Sequence, residues 1–162
     1  MTKLLLSIHV LAAIIAIGPV TVAASMFPAV TRRVSAVSAS SGDRGDRGDR
    51  GAASVPQALH RICRVYAVVG VVVPVFGFAT ANSLHVLGDP WLIVSIVLTL
   101  IAAVILAALV LPGQSAALAA LDKGSGTSAA LRRLTMFTGV FNLLWAVVTV
   151  LMIVRPGSTT GA

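Results

Sequence analysis

The sequence predicts an all-α integral membrane protein, a bundle of four transmembrane helices. Hydrophobic residues make up 57% of the 162 positions and charged residues only 10%, and the mean hydropathy is +0.99. A soluble domain carries roughly 25% charged residues, because its surface must meet water. The apolar residues also fall into four runs, each close to the ~20 residues that cross a bilayer. A single membrane domain over 1–162 accounts for this pattern.

The four runs predict helices at about 4–27, 65–87, 91–111 and 134–154. Lipid offers no hydrogen-bond partner to the backbone, so helices are expected in each run. Pro19 and Pro74 lie near the centres of the first two helices and tend to kink them. The third run is predicted to stop at Pro112 and Gly113.

Residues 31–55 connect the first two helices and contain Gly-Asp-Arg three times in succession, from Gly42 to Arg50. The repeat has no apolar side chain to bury, so a flexible cytoplasmic loop is predicted.

Lysine and arginine are distributed unequally between the two sides of the bundle. The first and third loops and their flanks hold ten of them, whereas the opposite side holds only Lys3 and Arg155. The positive-inside rule therefore predicts a multi-pass protein of the cell membrane with both termini extracytoplasmic. Because the net charge of +7 lies in loops, no nucleic-acid partner is expected. As an alternative, the first helix is a signal peptide cleaved near Val22–Ala24, which leaves three helices.

Polar residues of the fourth helix recur at steps of 3, 4 and 3, in the order Thr135, Thr138, Asn142 and Trp145. This is the spacing of a single packed seam. We interpret it as a helix-packing seam whose hydroxyls and amide bind neighbouring helices. Alternatively, these residues line a binding site for a polar ligand.

Once the orientation is assigned, six further polar residues fall in the outer half of the bilayer: His9, Asn82, His85, Ser95, Thr99 and Thr149. Polar groups inside spans are costly and mark functional sites. Two imidazoles at similar depth could hold haem b iron or a copper or zinc ion, so His9 and His85 are the candidate cofactor ligands. The other four would line a polar pocket. Alternatively, His9 is a buried hydrogen-bonding residue and His85 an interfacial one.

Other reactive groups are few. We interpret His60 as a surface residue and Cys63, the only cysteine, as a small helix residue. The chain has no Glu, no Asp within a predicted span, no phosphate-binding glycine loop and no HExxH motif. Catalytic residues are therefore not assigned, and whether the protein is an enzyme stays open.

The first helix, from Ile8 to Gly18, resembles the opening helix of bacterial CopD-like membrane proteins of the copper-resistance group and related uncharacterised families. It resembles more distantly the HemJ-like protoporphyrinogen oxidases, small four-helix proteins associated with haem. In these families a His is followed by Trp seven residues later and then by Gly. His9 and Gly18 match this pattern, whereas Ala16 replaces the Trp and Pro19 replaces a second Gly. The resemblance implies a four-helix fold and, for His9 alone, cofactor ligation.

Three hypotheses follow for the function. The first is a haem- or metal-associated protein with a redox-type role. The second is a non-catalytic membrane subunit or scaffold that binds a membrane-protein partner or a second copy of itself. The third is a small-molecule transporter, for which no coupling residue is evident.

Overall fold

All regular secondary structure of the described residues is helical. The structure, a computed structural model, describes residues 2–40, 46–123, 128–154 and 156. Its helices are α1 (Thr2–Ser40), α2 (Asp46–Gly70), α3 (Val72–Leu84), α4 (Pro90–Ile105), a π-helical turn (Leu106–Val110), α5 (Leu111–Asp122) and α6 (Ser128–Val154). Four stretches are long and apolar enough to cross a membrane: Leu6–Val37, Ser54–Ser83, Pro90–Asp122 and Ala129–Val154. The predicted all-α membrane bundle of four helices is confirmed.

The bundle has two distinct ends. We call the end where α1 and α5 end and where α2 and α6 begin the loop end, and the opposite end the terminal end. α1 packs against α2, α3 and α6, whereas α4 packs against α6 and α5 packs against α2. α1 therefore lies between the second span and the fourth.

The main core is built on one face of α1. Its residues are at most 2% exposed, and all but the adjacent pair Ala23 and Ala24 are three or four positions apart: Ala16, Val20, Ala23, Ala24 and Phe27. The alanines let neighbouring helices approach closely, which is how membrane helices gain contact without a hydrophobic driving force between them. This face packs with Cys63 of α2 and with apolar residues of α4 and α6.

At the loop end the helices extend beyond the predicted bounds. α1 continues to Ser40 and α2 begins at Asp46, so residues 31–40 and 46–55 are helical where a flexible loop is predicted. Thr31 and Ser35 donate their hydroxyl protons to carbonyls one turn earlier, at 2.8 and 3.0 Å, which satisfies these hydroxyls within α1. Pro56 is buried, so the extended start of α2 contributes to the packed structure.

Two prolines explain the irregular points of the spans. Pro74 has no N–H to donate to the Gly70 carbonyl, and α2 ends at Gly70, one residue before α3. Pro112 follows the π-helical turn, in which the Leu111 N–H bonds to the Leu106 carbonyl five residues earlier. The wider turn accommodates the proline, so the third helix continues to Asp122 and the predicted stop at 111 is wrong.

Candidate functional site

His9 is buried between α1 and α3. Its side chain is 8% exposed, and its Nδ1 atom is buried without a hydrogen-bond partner among the described residues. A Cβ atom built on Gly77 would lie 2.8 Å from His9 Cε1, 3.4 Å from Nδ1 and 3.6 Å from Nε2. The edge of the ring that carries both nitrogens therefore faces the α3 backbone, in space that only a glycine leaves open.

His85 is not brought together with His9. It lies eight residues beyond Gly77, which corresponds to about 12 Å of helix rise. Its φ of 56° ends α3, and its backbone N–H bonds to the Ala81 and Asn82 carbonyls. Its exposed ring lies 2.9 Å, measured at Nδ1, from the Asn82 carbonyl oxygen, so this imidazole caps its own helix.

The hydroxyl groups of the predicted polar pocket each bond to a backbone carbonyl. Ser95 is fully buried and donates to the Trp91 carbonyl at 2.8 Å. Thr99 donates to the Ser95 carbonyl at 2.7 Å, and the exposed Thr149 donates to the carbonyl one turn earlier at 2.8 Å. The Asn82 side chain is exposed. Each hydroxyl is thus satisfied by its own helix.

The polar seam of α6 faces α1. Arg32 Nη2 donates to Thr135 Oγ1 at 3.1 Å, and Asn142 Nδ2 donates to Ser25 Oγ at 2.9 Å. The two bonds are seven residues apart on each helix, but they follow in opposite order along α1 and α6. This is what two antiparallel helices in fixed register require. Residues at the predicted seam spacing therefore bind one neighbouring helix.

Some polar atoms of this seam are buried without a partner within the described residues. They are Thr138 Oγ1, Asn142 Oδ1 and Trp145 Nε1. The Trp145 ring makes an edge-on contact with Phe141, with ring centres 6.4 Å apart. The seam is thus polar but only partly satisfied, and Asn142 anchors it through its amide nitrogen.

A second polar network, which is not predicted from the sequence, joins α2 to α5. His60 Nδ1 lies 3.0 Å from Gln114 Oε1, and Gln114 Nε2 lies 3.5 Å from Cys63 Sγ. His60 Nε2 lies 3.4 Å from Ser115 Oγ. Gln114 and Cys63 are fully buried, and His60 is half-buried. His60 is therefore part of a helix-to-helix network, and its interpretation as a surface residue is wrong.

The proton positions of this network follow from the Gln114 amide. The amide nitrogen of Gln114 faces the thiol, so its oxygen accepts a hydrogen bond from the Nδ1–H group of His60. The Ser115 hydroxyl donates to the Leu111 carbonyl at 3.1 Å, and His60 Nε2 lies beside its oxygen. The signal in the sequence is the three-residue spacing of His60 and Cys63, which places both on one face of α2. Gln114 could not be found as their partner because the predicted third helix ends before it.

These arrangements limit what the side chains can do chemically. Within the described residues, no group of three or more His, Cys, Asp or Glu side chains could hold a metal ion. A shallow groove on the surface of α6, lined by Ala146, Val147, Val150 and Leu151, is wholly apolar. Most of the hydroxyl groups bond within their own helix, whereas the side chains of His60, Gln114 and Asn142 join helices.

Comparisons with protein-family models, with curated proteins and with solved structures give no match to this chain.

Proposed function

We propose that the protein is a non-catalytic membrane subunit that assembles by helix packing, and that a second copy of the chain covers a stripe on α2 and α3. The stripe consists of Val68, Val71, Val75 and Phe78, which are 72%, 65%, 64% and 61% exposed, and of exposed Asn82. Successive members are three or four residues apart, which is the spacing of a packed helix seam. This stripe is the observation that carries the proposal.

The polar seam of α6 supports this interpretation of the stripe as a helix-packing surface. It has the same spacing and also contains an asparagine, and there Asn142 binds Ser25 of α1. Asn82 is the last member of the α3 stripe, two residues before α3 ends. An amide that faces lipid is unfavourable unless it finds a partner, and such bonds contribute to helix association in membranes.

A second copy is the occupant that best fits an asparagine at this position. All copies insert in the same orientation, so a two-fold axis along the bilayer normal brings identical positions together. Asn82 would then face Asn82 of the other copy. An amide has both a donor and an acceptor, so each side chain can satisfy the other.

Disulfide crosslinking tests this assembly in a Cys63→Ala background. A cysteine at Val75 should crosslink two copies in native membranes, whereas one at Val73, 4% exposed on the opposite side of α3, should not. A cysteine at Val104 of α4, which is 63% exposed, measures random collisions. Asn82→Leu should weaken self-association by about threefold or more, from about 0.6 kcal/mol for one such bond.

The alternative outcomes identify other occupants. A crosslink from Val75 to a different membrane protein, without self-crosslinking, would keep the subunit role and change its partner. Equal crosslinking from Val75 and Val104, together with monomeric behaviour in mild detergent, would show that lipid covers the stripe and refute the proposal.

A cofactor role centred on His9 is the second candidate, and the buried unpartnered Nδ1 atom favours it. The resemblance to CopD-like and HemJ-like proteins points the same way. Haem b, copper or zinc would have to enter between α1 and α3, since the nitrogens face Gly77. A Soret band or stoichiometric metal in the purified protein, lost in His9→Ala, would support this role. A featureless spectrum and no metal would exclude it.

For the location, we propose the cell membrane with the loop end in the cytoplasm. The ten basic residues on that side support this orientation. A reporter that is active only outside the cytoplasm should be active when fused after residue 162. Activity only of a cytoplasmic reporter at the same position would reverse the orientation.

A further inference from the structure

Arginine side chains cluster at the loop end, two on each of three helices. They form what we call the arginine belt: Arg32 and Arg33 on α1, Arg61 and Arg64 on α2, and Arg132 and Arg133 on α6, all of them exposed. On each helix the pair stands where the apolar run ends, for example immediately before Val65 and before Leu134. The belt therefore lies at the loop-end edge of the most apolar runs, within the longer helical stretches that could cross a membrane, at the level expected for lipid headgroups.

One hydrogen bond between helices fixes the position of an arginine of the belt. Arg32 Nη2 donates to Thr135 Oγ1 at 3.1 Å, which holds this guanidinium against α6. Arg132 is three residues from Thr135 and so lies on the same face of α6. Arg132 therefore lies one helical turn from the contact between Arg32 and Thr135.

The charges of the belt are not compensated within the described part of the chain. None of the six guanidinium groups forms an ion pair with a described carboxylate. A cluster of like charges without counter-charges favours a bound anion. Guanidinium matches phosphate with paired hydrogen bonds, and basic clusters beside membrane spans attract anionic lipids.

We propose that the arginine belt binds the phosphate groups of anionic phospholipids, with Arg32 and Arg132 forming its best-ordered headgroup site. A lipid fits better than free phosphate because of what lies below the belt. Met136, Val140 and Leu143 continue the Arg132 face of α6 into the span and are 57%, 41% and 66% exposed. The headgroup would meet the arginines while the acyl chains of the same molecule cover this apolar face.

The test is a titration of the protein in neutral detergent with phosphatidylglycerol or phosphatidylcholine, followed through the thermal unfolding midpoint. Phosphatidylglycerol should raise the midpoint at lower concentration than phosphatidylcholine. Arg32→Gln or Arg132→Gln should each weaken the apparent affinity for phosphatidylglycerol by about fivefold, since a basic residue near an anionic surface contributes about that factor. Added salt should weaken it further.

Lys123→Gln is the matched control, because Lys123 is an exposed cation of the same end that lies outside the belt. It should leave the affinity nearly unchanged. Arg132→Gln keeps the test valid if Arg32→Gln disturbs folding through the lost Thr135 bond, and an unchanged midpoint in phosphatidylcholine verifies the fold. Equal responses to both lipids, wild-type affinity in both arginine variants, or an equal effect of inorganic phosphate would each overturn the proposal.

Discussion

Replacing Gly77 with alanine tests the contact between α1 and α3 most directly. The added methyl would lie 2.8 Å from His9 Cε1, whereas ordinary contacts begin at 3.4 Å, so the ring or the helices must move by about 0.6 Å. The ring is 8% exposed and its edge already faces the α3 backbone, so it has little room to retreat.

The magnitude follows from two opposing effects. Overpacking of this kind costs about 1–3 kcal/mol. Alanine in place of glycine within a helix contributes about 0.5–1 kcal/mol in the other direction. Gly139→Ala is the matched control, because nothing lies within 4 Å of its added Cβ atom. The difference in unfolding free energy between the two variants should therefore be about 1–3 kcal/mol, with Gly77→Ala the less stable.

The assay is reversible unfolding of the detergent-solubilised protein by sodium dodecyl sulfate, followed by circular dichroism. A double-mutant cycle with His9→Ala isolates the contact, since the shorter side chain leaves room for the methyl. In that background, Gly77→Ala should behave like Gly139→Ala. Equal stability of the two single variants, or no rescue by His9→Ala, would refute the described contact.

Four further predictions concern the polar contacts between helices. Gln114→Leu should lower the unfolding free energy by about 1–3 kcal/mol, because it leaves His60 and Cys63 without their shared partner. A stability equal to wild type in sodium dodecyl sulfate unfolding would contradict the network. Cys63 is fully buried, so a maleimide should label it slowly in the folded protein and faster in the Gln114→Ala variant. Mass spectrometry measures both labelling rates, and rapid labelling of the wild type would contradict the burial of Cys63. Ser25→Ala should cost about 0.6 kcal/mol through the lost bond to Asn142. Asn142→Leu should be close to neutral in the same assay, because it also removes the unpartnered Oδ1 atom; a loss as large as that of Gln114→Leu would show that Oδ1 has a partner.

The candidate site shows which kinds of residue could be found without a structure. The face of α6 that packs on α1 follows from the steps between Thr135, Thr138 and Asn142, because spacing along one helix is a local property. The network of His60 with Gln114 joins two residues that are 54 positions apart in sequence. No local pattern indicates that these two helix faces meet, and the π-helical turn that carries the third helix past Pro112 lies between the predicted end and Gln114.

The two histidines show the same difference between what a local sequence pattern predicts and what the structure decides. Both are recognisable as polar residues at the outer ends of apolar runs, and this suggested a shared ligand site. The structure instead places His9 against Gly77 and uses His85 to end α3 in the left-handed region of backbone conformation. A helix end with positive φ usually has glycine, so nothing in the sequence marked His85 as a cap.

The sequence by itself determined that the chain is a membrane bundle of four helical spans, because burial in lipid depends on the length and hydropathy of each run alone. Only the tertiary structure decided which faces of those spans meet and how far the helices continue at the loop end. The physical reason is that the apolar faces of membrane helices are nearly equivalent toward lipid. Close approach at small residues, such as Gly77, and a few hydrogen bonds between helices, such as that of Asn142 with Ser25, then select one arrangement.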